Sequence, residues 1–115
     1  MSHAHDVIEE LRTPTRELRQ TIPETWAGFG RLHQEAMADG TLPARLKELI
    51  ALALAVSQQC DGCIAYHAKA AAAKGATREE LAEVLGVTLL MNGGPASVYA
   101  PRAWAAFGEF VPGSD

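Results

Sequence analysis

The chain has 115 residues, of which 48% are hydrophobic and 21% charged, with a formal net charge of −4 and a pI of about 5.5. This length fits one domain, the composition excludes an intrinsically disordered chain, and the absence of a basic cluster gives no indication of nucleic-acid binding. The longest apolar run, Leu49 to Val56, is too short for a membrane span, and Met1 to Asp6 lacks the pattern of a signal peptide. We therefore expect a cytoplasmic protein that binds neither nucleic acid nor membranes.

The first part of the chain predicts helices. A polar, partly helical lead-in covers residues 7–19 and is interrupted at Pro14. Pro23 begins a helix that ends near Ala38, because proline is tolerated in a first turn and Asp39-Gly40 supplies a stop. Apolar side chains at helical spacing are predicted to form the inner face of this helix: Trp26, Phe29, Leu32 or His33, and Ala36 or Met37.

The middle of the chain predicts a helix over residues 43–59 whose centre, Leu49 to Val56, is apolar on all sides. Such a helix must be covered all round. Short helices cannot easily cover it within 115 residues, so we expect several copies of the chain to associate. A compact bundle that wraps this helix within one chain is the alternative.

Three more helices are predicted, over residues 61–74, 77–91 and 97–110. Thr77 begins the second of them, with Glu80 placed for a capping box. Asn92-Gly93-Gly94-Pro95 breaks the chain before the last helix, in which Pro101 either causes a kink or marks the first turn. The elements together predict one all-α domain over residues 1–115.

Cys60 and Cys63 are the only cysteines, and they lie three positions apart. A disulfide across so short a loop stabilises a fold little, which favours a reactive dithiol or a pair of metal ligands. On a helix, Cys60, Cys63 and His67 fall within an arc of about 60°. An imidazole beside a thiol can accept its proton or stabilise the thiolate, as can the start of a helix, where we expect Asp61 to be the N-cap.

Glu48 precedes eight consecutive apolar residues and shares a helix face with Leu52 and Ala55. A carboxylate buried at this position suits a proton shuttle. The alternative is an exposed turn residue, since Arg45 and Lys47 flank it.

One spacing pattern consists of Glu48, eleven residues, Cys60-x-x-Cys63, three residues and His67. It resembles the alkylhydroperoxidase D-like core of the carboxymuconolactone decarboxylase family. The likeness extends over residues 42–99 and is found in four stretches: Lys47–Ala53, Cys60–His67, Gly75–Glu80 and Met91–Pro95. The resemblance implies an all-helical fold of five or six helices that assembles into homo-trimers or hexamers.

By the same resemblance, Cys63 attacks a peroxide and passes through a sulfenic acid, Cys60 resolves it into a disulfide, and Glu48 and His67 relay protons. This implies a thiol-dependent peroxidase or disulfide oxidoreductase of antioxidant defence, with a thiol or dithiol reductant and no cofactor or metal. Gly62 stands where the best-studied members have a histidine, so the relay is shorter here.

Three other interpretations remain open. A structural zinc site would use Cys60, Cys63 and His67 with Glu48 as a fourth ligand. A non-redox decarboxylase would need a site for a carboxylated substrate and no paired thiols. A redox sensor would change its assembly on thiol oxidation instead of removing peroxide.

The remaining candidate residues are interpreted as structural. His3 and His5 are expected to be solvated in a mobile tail, and His33 to lie on a helix face. The stretch from Glu9 to Glu24, rich in glutamate and arginine, is expected to be a solvated face. Four aromatic residues are expected to fill the core or an interface: Trp26, Phe29, Trp104 and Phe107.

Overall fold

The computed structural model describes residues 2–111, and within that range the chain forms six α-helices and no strand. They are α1 (His3–Thr21), α2 (Pro23–Met37), α3 (Ala44–Ser57), α4 (Asp61–Ala73), α5 (Arg78–Asn92) and α6 (Gly94–Gly108). The predicted all-α class is confirmed. No helix within residues 2–111 combines the length and the apolarity that a membrane crossing requires.

The core lies where α3, α4 and α6 meet, with α5 against α3 and α6 and with α1 against α4. Small side chains let these helices approach closely: α4 buries Ala65, Ala68 and Ala71, and α6 buries an alanine on each turn from Ala96 to Ala106. The largest fully buried side chains fill the space between the helices: Leu49, Leu52, Val56, Ile64, Leu81 and Phe107.

Local sequence defines the junctions around α4 and α5. Gly75 has a φ of +87° and ends α4, as the left-handed conformation favours glycine. Thr77 caps α5 through the predicted box: its hydroxyl accepts from the Glu80 amide, and the Glu80 carboxylate accepts from the Thr77 amide, both at 3.0 Å. The predicted break after α5 is also confirmed, with Gly93 at a φ of +65°.

The predicted interruption at Pro14 is wrong, and the alternative that Pro101 marks a first turn is excluded. The lead-in is not interrupted, because α1 runs through Pro14; Pro14 and Glu10, whose carbonyl loses its partner there, are both exposed to water. The apolar side of α1, with Val7 and Ile8 packed against the core, holds the helix in place. The last helix begins at Gly94 instead of near residue 97, so Pro101 lies inside it and is exposed.

The predicted inner face of α2 is also wrong. None of the residues from Pro23 to Met37 is buried, and Phe29 and Leu32 are 60% and 63% exposed. Helical spacing shows that a helix has an apolar side but does not show which surface covers it. The apolar helix α3 is not covered all round either, since Ile50 and Leu54 are 44% and 55% exposed.

The four aromatic residues expected in the core or an interface differ in burial. Phe107 is fully buried in the core, and Trp26 is half-buried. Trp104 and Phe29 are exposed, with the Arg78 guanidinium 5.5 Å from the centre of the Trp104 ring. Only Phe107 is therefore a core residue of the single chain.

Candidate active site

A Schellman turn ends α3 just before the first cysteine. The amide of Cys60 donates to the carbonyl of Ala55 at 3.0 Å, and the amide of Gln59 donates to the carbonyl of Val56 at 3.1 Å. Gln59 has a φ of +56°, a left-handed conformation that costs a residue with a Cβ atom about 1 kcal/mol. The turn delivers Cys60 directly to the start of the next helix.

Cys60 is the N-cap of α4. Its backbone is extended, and its Sγ accepts a hydrogen bond from the amide of Cys63 at 3.2 Å. The prediction that Asp61 is the N-cap is wrong, since Asp61 is the first residue of the helix. A sulfur at this position lies next to unpaired amides and the positive end of the helix dipole, which favour its thiolate form.

Cys60 and Cys63 form a disulfide, with their Cα atoms 5.2 Å apart. Both residues are half-buried, and Cys63 packs against the core. The two sulfurs therefore face each other at the first turn of α4, as a dithiol–disulfide pair requires.

Glu48 is buried, with 4% of the residue exposed, so the alternative of an exposed turn residue is wrong. Its Oε1 lies 2.8 Å from Nδ1 of His67, whose side chain is 24% exposed. With Nδ1–H donating to the carboxylate, Nε2 of His67 is the nitrogen left to exchange a proton. Helices α3 and α4 thus bring together the acid and the imidazole that the sequence spacing singled out.

His33 lies beside this pair, which the sequence did not indicate. The centre of its ring, on α2, is 6.3 Å from the centre of the His67 ring, and the two planes differ by 23°. The expectation that His33 sits on a helix face holds, but that face looks toward His67. Spacing could not reveal this, because the position of α2 depends on tertiary packing.

Gly62, between the cysteines, is covered by α1. A Cβ atom added there would lie 3.5 Å from Cδ1 of Leu11. That distance is an ordinary contact for a methyl group, but a longer side chain in the same direction would meet Leu11. The packing of α1 on α4 therefore matches a glycine at this position.

The N-terminal histidines are exposed, as expected, but the expectation that they lie in a tail is wrong, because they belong to a helix. His3 and His5 lie in α1, where His3 Nε2 is 2.7 Å from an Asp61 oxygen and His5 Nδ1 is 2.6 Å from an oxygen of Glu109. The Glu109 carboxylate also accepts from the amides of Ala4 and His5 at 2.9 and 3.0 Å. These bonds fasten the start of α1 to the Cys-x-x-Cys segment and to the end of α6.

The fold changes the ionisation of Glu109. Burial opposes its charged form, but the two amides and the ring of His5 outweigh burial and hold the pKa of Glu109 below its ordinary value. The ionised carboxylate thus acts as a tertiary cap for the first turn of α1.

The zinc alternative needs a cluster of at least three ligands. Among residues 2–111, no three His, Cys, Asp or Glu side chains are grouped so that they could hold a metal ion.

Comparison with known proteins identifies the family. The model of the carboxymuconolactone decarboxylase family matches residues 23–106. An uncharacterised protein of Cupriavidus necator is 43% identical over 100 residues, which are 87% of this chain and 88% of that protein. Uncharacterised protein 4 of the cox locus of Paracoccus denitrificans is 41% identical over 81 residues, 70% of this chain and 73% of its own.

A solved structure agrees in fold. The crystal structure of apo-lpg0406, a carboxymuconolactone decarboxylase family protein from Legionella pneumophila, superposes with a TM-score of 0.91 at 44% identity, covering 93% of this chain and 96% of the other. The chain belongs to the carboxymuconolactone decarboxylase family, and the family resemblance seen in its sequence is confirmed.

Proposed function

We propose that this protein is a thiol-dependent peroxidase or disulfide oxidoreductase whose reactive pair is Cys60 and Cys63. The observation that supports this best is the disulfide at the first turn of α4, one helical turn from a His67 that is bonded to the buried Glu48. Family membership is compatible with this chemistry and does not by itself select it.

The cycle begins with both cysteines reduced. The Cys63 thiolate attacks one oxygen of a hydroperoxide; an S–O bond forms, the O–O bond breaks, and the alcohol or water leaves with a proton. The Cys60 thiolate then attacks the Cys63 sulfenic acid, so that the S–S bond forms and water leaves. The dithiol has lost two electrons to the peroxide, and an external thiol or dithiol returns them by exchange with the disulfide.

The two neighbouring residues serve proton transfer in this scheme. Nε2 of His67 accepts the proton of the Cys63 thiol, since residues at i and i+4 of a helix meet. Glu48 holds the ring through Nδ1 and stabilises the imidazolium that forms. The Cys60 thiolate is stabilised by the start of α4. Since the cycle needs a supply of thiol reductant, we place the protein in the cytoplasm.

A screen of hydrogen peroxide and organic hydroperoxides with several thiol reductants tests the proposal. One equivalent of peroxide should remove both titratable thiols and lower the mass by about two hydrogens, and turnover should follow when reductant is added. The Cys63→Ser variant should show no turnover. Retention of both thiols in the wild-type protein would contradict the proposal.

The family name raises a non-redox decarboxylase as a second candidate. A Cys60→Ser, Cys63→Ser double variant that keeps full activity on a lactone acid would favour it over the redox proposal. Fast oxidation with negligible turnover under every reductant would instead favour a redox sensor.

We also propose that several copies of the chain associate, as a trimer or hexamer. The support is a set of exposed apolar side chains on three helices: Phe29, Leu32, Ile50, Leu54, Leu90 and Met91. Covering such surfaces is a common reason for self-association. Size-exclusion chromatography with light scattering should show the assembly, and monomer alone at micromolar concentration would contradict it.

A further inference from the structure

A basic cleft lies between α1 and α4 and has a volume of about 420 Å³. Four basic side chains line it, Arg12, Arg16 and Arg19 from α1 and Lys69 from α4, together with Tyr66. No acidic residue is among its lining residues within the described part of the chain. In a protein with a net charge of −4, such a concentration of positive charge is a local feature that needs a reason.

The three arginines of this cleft are placed together by the helix. At about 100° per residue, positions 12, 16 and 19 fall within an arc of about 60°. Glu10 and Glu17 lie about 100–180° from each of them, while Glu9 lies on the same side of the helix, where it pairs with Arg12. The charged residues of this stretch are exposed, as the sequence suggested, and the three arginines are gathered on one side of the helix. The side of α1 that carries the three arginines borders the cleft with α4.

Most of these charges are not neutralised by the protein. Arg12 pairs with Glu9 at 2.9 Å, both side chains being exposed. Within residues 2–111, no carboxylate forms an ion pair with Arg16, Arg19 or Lys69. Like charges held around one cleft repel one another, and a bound anion would remove that repulsion.

We propose that this cleft binds a small molecule that carries a diphosphate or a similar multiply charged anionic group. Arginine forks bind phosphate oxygens in pairs, and lysine adds a point charge. The volume falls in the range of small-molecule sites, roughly 300–1,000 Å³. Ile8 and the half-exposed ring of Tyr66 supply apolar surface for the rest of such a molecule.

The site has a defined relation to the disulfide. Tyr66 directly precedes His67, and on α4 it lies about 60° around the helix from Cys63. A ligand in the cleft is therefore a neighbour of the redox face without occupying it. Binding does not require the thiols, so this proposal stands apart from the peroxidase proposal and can fail or succeed separately from it.

Titration calorimetry of the full chain with inorganic pyrophosphate at low ionic strength tests the site. The wild-type protein should bind saturably, and Arg16→Gln with Arg19→Gln should weaken binding by at least about tenfold, since each removes a charge-assisted hydrogen bond. Lys69→Gln, on the other helix, should weaken it as well. Arg31→Gln is the control matched in charge to Lys69→Gln, because Arg31 is exposed on α2 outside the cleft and its replacement likewise removes one positive charge.

The outcomes decide the proposal clearly. Wild-type affinity should persist in the Cys60→Ser, Cys63→Ser variant and in Arg31→Gln. A diphosphate on an adenosine should bind more tightly than pyrophosphate if the apolar surface is used, and equally if the anion alone is bound. Failure to bind pyrophosphate at millimolar concentration, an equal loss in Arg31→Gln, or saturable binding of duplex DNA in place of pyrophosphate would overturn it.

Discussion

Helices α2 and α4 are similar in length and opposite in their use of apolar surface. α4 buries Ile64 and three alanines and is packed between α1, α3 and α6, whereas α2 buries no residue between Pro23 and Met37. The stability of α4 therefore comes from within the chain. An amphipathic helix such as α2, with its apolar side exposed, gains little from packing within this chain, and the proposed association would cover that side.

The largest expected effect is on the free energy of unfolding, when the same leucine-to-alanine substitution is made at a buried and at an exposed position. Leu52→Ala, at a position with no exposure on α3, should lower the free energy of unfolding by about 2–5 kcal/mol. Leu32→Ala on α2, where Leu32 is 63% exposed, should lower it by less than about 0.5 kcal/mol in monomeric protein. Denaturant unfolding at several protein concentrations measures both, and equal losses would break the contrast.

Next in size is the effect of the buried acid. Glu48→Gln keeps the shape of the side chain but removes the carboxylate that, in the proposed cycle, stabilises the His67 imidazolium. The rate at which peroxide oxidises the thiols should fall by about 100-fold in stopped-flow measurements. Glu35→Gln on the exposed helix α2 is the control and should change the rate less than twofold; a similar small change in Glu48→Gln would refute the relay.

His33 is the residue of α2 whose ring lies beside the ring of His67. Its replacement therefore tests whether α2 contributes to the reaction as α4 does. His33→Gln removes a ring that lies against the His67 ring, a contact worth about 0.5–1.5 kcal/mol in ring pairs. The oxidation rate should fall by no more than about tenfold. A loss as large as that of Glu48→Gln would mean that α2 belongs to the catalytic machinery and not to its surroundings.

The smallest effect concerns pH and the start of α1. Because the folded-state pKa of Glu109 lies below its unfolded value, its contribution is fully present above the unfolded pKa and is lost as the pH falls through the folded pKa. Acid unfolding below about pH 4 should thus include a step that Glu109→Gln removes. The two proteins should be compared in thermal unfolding between pH 3 and pH 7; identical pH profiles would contradict this cap.

The sequence predicted helices α3, α4 and α5 closely because their ends depend on local chemistry. The Thr77–Glu80 box and the left-handed glycines at 75 and 93 act over a few residues, so they can be recognised without a structure. The inner face of α2 and the path of α1 through Pro14 could not be predicted in this way. Both depend on which surfaces of the neighbouring helices are available for packing.

The residues of the candidate site also differ in whether local sequence or tertiary packing places them. Cys63 and His67 could be paired from spacing, since residues at i and i+4 of a helix share a face. Glu48 lies on α3, and it was found from the apolar run that follows it and from the family resemblance. His33, on α2, carries no such signal in the sequence. The basic cleft was not predicted either. The sequence predicted a break in the helix at Pro14, and with that break Arg12 would not lie on the same helix as Arg16 and Arg19.

The most direct test of the central claim is to trap the first product at a single cysteine. In the Cys60→Ser variant, Cys63 has no partner to resolve it, so one equivalent of hydrogen peroxide with a sulfenic-acid reagent should label Cys63, as read by mass spectrometry. The Cys63→Ser variant should label slowly or not at all. If Cys63 is unlabelled while its thiol persists, or if Cys60 is the faster residue, the proposed attack by Cys63 is contradicted.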